Sequence, residues 1–138
     1  MKQNNDIVNK LRSSSLRPTK QRIRIAKYLF GRTKTFHFTV EKLNRVINQK
    51  KGLKKISLAT IYNTTQAFEK AGHLKEILTN NNTCYYDTNT TSHHHFYDNE
   101  TSELTDIKYQ KIQLSKLPNP PKGKKIKGCE VVITLAKQ

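Results

Sequence analysis

The chain has 138 residues, enough for one medium domain or two small ones, and only 34% of it is hydrophobic. Two small cores of that composition are each marginal alone, so oligomerisation is expected. The net charge of +16 points to a polyanionic partner. The polar stretch from Met1 to Lys10 and the lack of any apolar run near about 18 residues argue against a secretory signal and a membrane span, and for a cytoplasmic protein.

Taken in chain order, a first helix is expected over Asn5 to Ser13, with Ile7, Val8 and Leu11 along one side, until Ser13-Ser14-Ser15 breaks it. Pro18 biases Arg17 away from helix, and Lys20 to Phe30 then places Ile23, Ala26, Leu29 and Phe30 on one face. Gly31 ends that segment. Thr39 caps a third helix carrying Val40, Leu43, Val46 and Ile47, which stops at Lys50-Lys51-Gly52. Ser57 caps a fourth, with Leu58, Ile61, Thr65 and Phe68 inward and Gly72 at its C-terminal stop. Leu74 to Leu78 and Cys84 to Asp87, separated by Asn80-Asn81-Asn82, read as a β-hairpin.

Helices followed at once by a β-ribbon, the last two separated by about six residues, make a winged helix-turn-helix. This domain is assigned to residues 1–88. Beyond it, His93 to Tyr97 and Glu103 to Lys108 read as strands, Tyr109 to Leu117 as a short amphipathic helix, and Val131 to Leu135 as an apolar strand, with Pro118-Asn119-Pro120-Pro121 between. Residues 89–138 are thus a small α/β unit that pairing with a second copy would stabilise. The fold class is α+β: an N-terminal winged helix-turn-helix followed by a small α/β dimerisation domain.

The charge is unevenly spread. Residues 1–88 hold 18 Lys and Arg against 5 Asp and Glu, and residues 89–138 hold 8 against 5. No helix joins a basic face to a strongly apolar one, so nucleic acid fits better than a membrane. An evenly charged lysine-rich surface would not show this bias.

On the fourth helix, Ala59, Asn63, Gln66 and Lys70 lie opposite the buried stripe, flanked by Thr60 and Tyr62, and no acid appears before Glu69. Asn and Gln pair with adenine edges, while Ala and Thr methyls meet the thymine methyl. Ser57, Thr60 and Tyr62 suit phosphates as well. Arg17, extended before Pro18, is a candidate for an A·T-rich minor groove. Lys20, Arg22, Arg24, Lys54 and Lys55 are candidate phosphate contacts.

His93-His94-His95 lies in an extended segment, so His93 and His95 share one face and His94 points to the other. Imidazoles at i and i+2 can clasp one ion, and with Asp87, Asp106 and His37 they compose an N/O donor set for Fe(II), Mn(II) or Zn(II). Cys84 and Cys129 stand alone and no C-x-x-C occurs, which excludes a structural four-cysteine zinc and leaves two buried thiols.

The segments Leu16-Arg17-Pro18-Thr19-Lys20-Gln21-Arg22 and Leu58-Ala59-Thr60-Ile61-Tyr62-Asn63-Thr64 resemble the second helix opening and the recognition helix of the Fur superfamily of metal-responsive repressors. The run from Tyr86 to Tyr97, with Glu103 to Ile107 after it, resembles the alphaproteobacterial iron response regulator (Irr) branch. The resemblance covers nearly the whole chain. It implies an inter-domain regulatory metal site at His37, Asp87, His93, His95 and Asp106, and a recognition-helix tyrosine at Tyr62. At the next position, where many members carry arginine, stands Asn63, and Arg17 matches a minor-groove residue. It further implies heme binding through His93, His94 and His95, and a homodimer on A·T-rich palindromic operators near iron- and heme-metabolism genes. The lack of C-x-x-C pairs departs from most Fur proteins, and no Cys-Pro heme motif is present, since Cys84 precedes Tyr85 and Cys129 precedes Glu130.

Two rivals differ in class. A metal-dependent nuclease would use the His/Asp cluster, but H-E-x-x-H, G-x-S-x-G and P-loop patterns are absent, so no catalytic residue is assigned. A ligand-independent architectural DNA-binding protein would share the basic half and ignore metal.

Overall fold

The computed structural model describes residues 4–138 and divides them into two compact units. One runs to Leu78 and includes Asn82–Thr90, and the other holds Thr79–Asn81 and Thr91–Gln138. No helix among the described residues is long and apolar enough to cross a membrane.

The first unit contains α1 (Asn4–Ser13), α2 (Lys20–Phe30), β1 (His37–Phe38), α3 (Val40–Ile47), α4 (Leu58–Lys70), β2 (Lys75–Leu78) and β3 (Cys84–Asp87). Three hydroxyl caps start the helices: Thr19 accepts from the Arg22 amide, Thr39 from Lys42 and Ser57 from Thr60. Each satisfies an N–H that has no partner inside its helix. Ile7, Leu11, Ile25, Leu29, Leu43, Ile47, Ile61 and Phe68 form one core. Each such side chain stabilises the fold by about 1.5–3 kcal/mol on burial.

Helix α3 ends at Ile47, short of Lys50, and ten residues rather than six separate it from α4. The cause is Asn48. Its side-chain oxygen accepts from the Ile56 amide at 2.8 Å, and its side-chain nitrogen donates to the Ile56 carbonyl at 2.9 Å. One side chain therefore closes the loop as a strand partner would. Asn48→Ala strips both partners from a half-buried peptide and is expected to cost about 1–3 kcal/mol, read as a lower urea midpoint with an unchanged m-value.

Helix α4 closes with the Gly72 amide donating to the Glu69 carbonyl and the His73 amide to the Phe68 carbonyl, the Schellman pattern. This points the His73 imidazole at Ser14, with Nε2 2.7 Å from Oγ, beside the Phe30 and Phe68 rings. Burial, then the charge of Lys10, holds the His73 pKa below the ordinary histidine value. The folded state therefore binds fewer protons here than the unfolded chain. This stability is complete above the unfolded histidine range and is lost as pH falls through it and on through the folded pKa. The fall in Tm between pH 7.5 and 5.5 is expected to narrow in His73→Gln.

The hairpin is present, and β1 joins it to give the order β1-β3-β2, all antiparallel. His37 lies in this strand of two residues, which is too short to carry a periodic pattern in the sequence.

The second unit is a sheet of order β5-β4-β6, from β4 (His93–Asp98), β5 (Leu104–Lys108) and β6 (Val132–Leu135). β5 pairs antiparallel and β6 parallel to β4. The helix expected over Tyr109 to Leu117 is only a 3-10 turn, Tyr109–Lys111. Leu114 and Leu117 remain exposed, and so short a segment with no buried apolar face does not hold a helix, least of all ahead of Pro118.

Candidate metal centre and nucleic-acid interface

In the first unit the strand register creates a His/Asp pair. Phe38 opposes Tyr86 with rings stacked at 5.7 Å and 26°, which sets His37 opposite Asp87 on the other face of the ladder. His37 Nε2 lies 3.2 Å from Asp87 Oδ2, and that carboxylate is 1% exposed. Its Oδ1 accepts from the Asn89 amide at 2.8 Å. A buried carboxylate held this way wants a cationic partner.

In the second unit His95 sits directly opposite Asp106, and His93 is their diagonal neighbour. His93 Nε2 and His95 Nε2 lie 3.4 and 3.3 Å from the same oxygen, Asp106 Oδ1. His93 Nδ1 lies 2.7 Å from the Thr91 carbonyl, which can only accept, so the proton of the neutral ring sits on Nδ1. The Nε2 lone pair then faces a carboxylate oxygen. Acceptors converging in this way require a proton or a metal ion among them. Donors about 2.1 Å from one tetrahedral ion stand about 3.4 Å apart, and a His Nδ1–H on a backbone carbonyl is the usual outer support of such a ligand. The donor set therefore fits a divalent metal.

His94 goes the other way, as alternation requires. Its ring stacks on Tyr109 at 5.0 Å and 11°, and its Nδ1 accepts from the Val131 amide at 2.8 Å. Its Nε2 is buried with no partner among the described residues. The three imidazoles thus do not converge from one side of the strand.

On α4, Ala59, Tyr62, Asn63, Gln66 and Lys70 are exposed, while Ile61, Thr64, Thr65 and Phe68 are buried. Leu58 corrects the inward stripe: it is 51% exposed, on the same side as Tyr62 at 49%. Reading it as core missed an exposed pair of large side chains one helical turn apart. Ser57 Oγ is occupied as the cap and donates to Thr60 Oγ1 at 2.9 Å. Arg17 and Lys20 are exposed, and half-buried Arg22 donates to the Arg17 carbonyl. Arg24 is not a free phosphate contact, because its guanidinium donates to the carbonyls of Ile47 and Lys54, bracing the loop after α3. Cys84 is half-buried and its thiol is pushed up to about 11, chiefly by burial, so it stays protonated. Cys129 is half-buried too.

A winged-helix unit with a polar recognition surface, and a sheet unit with a His/His/Asp donor set, define a metal-responsive DNA-binding regulator. The sequence profile of the Ferric uptake regulator family matches residues 13–134, and the chain belongs to that family. Its members are regulatory DNA-binding proteins rather than enzymes. The ferric uptake regulator from Pseudomonas aeruginosa, solved with manganese, is similar at a TM-score of 0.70 and 17% identity, over 96% of this chain and 98% of that one. The Vibrio cholerae ferric uptake regulator gives 0.71 and 15% over 94% and 98%. A zinc-bound manganese uptake regulator gives 0.64 and 21% over 99% and 100%. Comparison of the sequence with curated proteins gave no match.

Proposed function

We propose that the chain is a homodimeric repressor that binds an A·T-rich palindromic operator and reports iron status through a divalent ion at His37, Asp87, His93, His95 and Asp106. The observation that carries this reading is the convergence of His93 Nε2 and His95 Nε2 on Asp106 Oδ1, an arrangement that a cation completes. His37 and Asp87 form a second donor pair, and only five residues separate Asp87 from His93 along the chain. One ion drawing on both pairs would fix the angle between the DNA-binding and dimerisation units. That angle sets the spacing of two recognition helices against half-sites a helical turn apart.

Bound there, a divalent metal would supply positive charge and hold its ligands in a fixed arrangement. His93 donates from Nδ1 to the Thr91 carbonyl, which would leave its Nε2 free to serve as a ligand. Asp87, held by the Asn89 amide, presents its second oxygen. On the DNA side, Tyr62, Asn63 and Gln66 read base edges, while Thr60, Lys20 and Arg22 hold backbone phosphates, Ser57 serves as the cap that positions Thr60, and Arg17 enters the minor groove. The manganese in the Pseudomonas relative and the zinc in the manganese uptake regulator support a divalent ion, and the Irr-like histidine segment supports iron or heme as the signal.

Selection of random duplexes with the Mn(II)-loaded protein tests the reading. Enrichment of an A·T-rich inverted repeat is expected, and Asn63→Ala is expected to lose about 1–3 kcal/mol of discrimination at one position per half-site. Recovery of unselected sequence would favour an architectural binder. A heme titration with an absorbance shift lost in His93→Ala or His94→Ala would make heme the signal.

A further inference from the structure

We infer that the lysine-rich segment between β5 and β6 is a second polyanion-binding surface, in the sheet unit, that grips the DNA phosphate backbone. Charge within that half of the chain is segregated. Asp98, Glu100, Glu103 and Asp106 precede it, whereas from Lys108 to Lys127 there are seven lysines and no acid. All seven are exposed, and none forms an ion pair among the described residues. A solvated surface ordinarily intersperses the two signs.

The segment is also shaped. Four lysines, Lys122, Lys124, Lys125 and Lys127, surround a tight turn in which the Lys124 amide donates to the Pro121 carbonyl at 3.0 Å. Gly123, third in that turn, has φ +79°, the conformation a type II turn requires at that position. Pro118, Pro120 and Pro121 stiffen the approach, which lowers the entropy lost when the lysines are fixed on a ligand. Lysine heads on an exposed turn suit phosphates, as point charges without base readout. Among polyanions, duplex DNA is favoured because the chain already carries a DNA-reading unit; the inference rests on that reading of the chain.

The test compares the full-length protein with K122Q/K124Q/K125Q/K127Q on a random-sequence 40-base-pair duplex, chosen as about four helical turns long. Binding is followed by fluorescence anisotropy across a salt series, and far-ultraviolet circular dichroism checks the fold. Each phosphate contact contributes about 0.9 to the log–log salt slope, so the slope is expected to flatten by up to about 3.6. In the unaltered protein, bound duplex is expected to protect these four lysines from acetylation, which a mere change in net charge would not do. Flattening by less than about one contact's worth, or acetylation as fast in the complex as in free protein, overturns the inference while leaving the metal-responsive regulator intact. Loss of binding only to phosphatidylserine-containing vesicles would reassign the surface to membranes and overturn it as well. If the unaltered protein has no duplex affinity, both this inference and the proposed function fall.

Discussion

Replacing His93 and His95 together with alanine is expected to weaken Mn(II) binding at least ~100-fold, since removing even the outer supports of metal ligands costs 10–100-fold. The two imidazoles supply two nitrogens that face Asp106 Oδ1, so the double variant takes both out of the donor set. Both rings are buried, and their removal also takes packing from the sheet. Asp106→Asn separates the two effects. Asp106 is 46% exposed, so the amide changes the charge without opening a cavity, and a folded protein with metal affinity reduced by a similar order is expected. Isothermal titration with Mn(II), beside a thermal melt of each variant, is the measurement. Unchanged affinity in a folded Asp106→Asn protein would remove the sheet-unit donors from the site.

Phe68→Ala is expected to destabilise the winged-helix unit by about 3–5 kcal/mol, a large share of the 5–15 kcal/mol typical of a whole domain. Phe68 is fully buried on α4, its ring 5.5 Å from that of Phe30 on α2 and edge-on to His73. The cavity lies behind the recognition surface, so DNA affinity should fall together with the urea midpoint although no DNA-facing side chain has changed. Phe68→Leu, which refills most of the volume, should recover both. Affinity lost at full stability would mean that Phe68 acts in recognition rather than in packing.

Much of the first unit was legible because its helices carry both a period and a cap. Thr39 and Ser57 stand where a hydroxyl must meet an orphan amide, and α2 runs over Lys20–Phe30 as its spacing of apolar residues requires. Leu58 was misread because a first-turn residue with the right spacing can still face solvent when the chain enters the helix from that side. Strand β1 escaped because two residues carry no periodicity, and its pairing with β3 depends on the distant Phe38–Tyr86 stack. The break after Lys111 was written in Pro118 and in the lack of a partner for Leu114 and Leu117, yet periodicity alone suggested a helix. In the candidate site, alternation along β4 was enough to set His93 and His95 apart from His94. The Thr91 contact that fixes the His93 tautomer was not readable, because it depends on the bend before the strand. Arg24 shows the same limit: its charge suggested phosphate, and its geometry makes it a brace.

The most direct measurement is an anisotropy titration of an operator duplex, selected as above, with metal-free protein and with protein loaded with one Mn(II) equivalent per protomer. The expected result is a single dimer-on-duplex isotherm whose midpoint moves at least about tenfold on loading, a coupling of about 1.4 kcal/mol. Superimposable isotherms with and without a bound ion would contradict metal-responsive DNA binding.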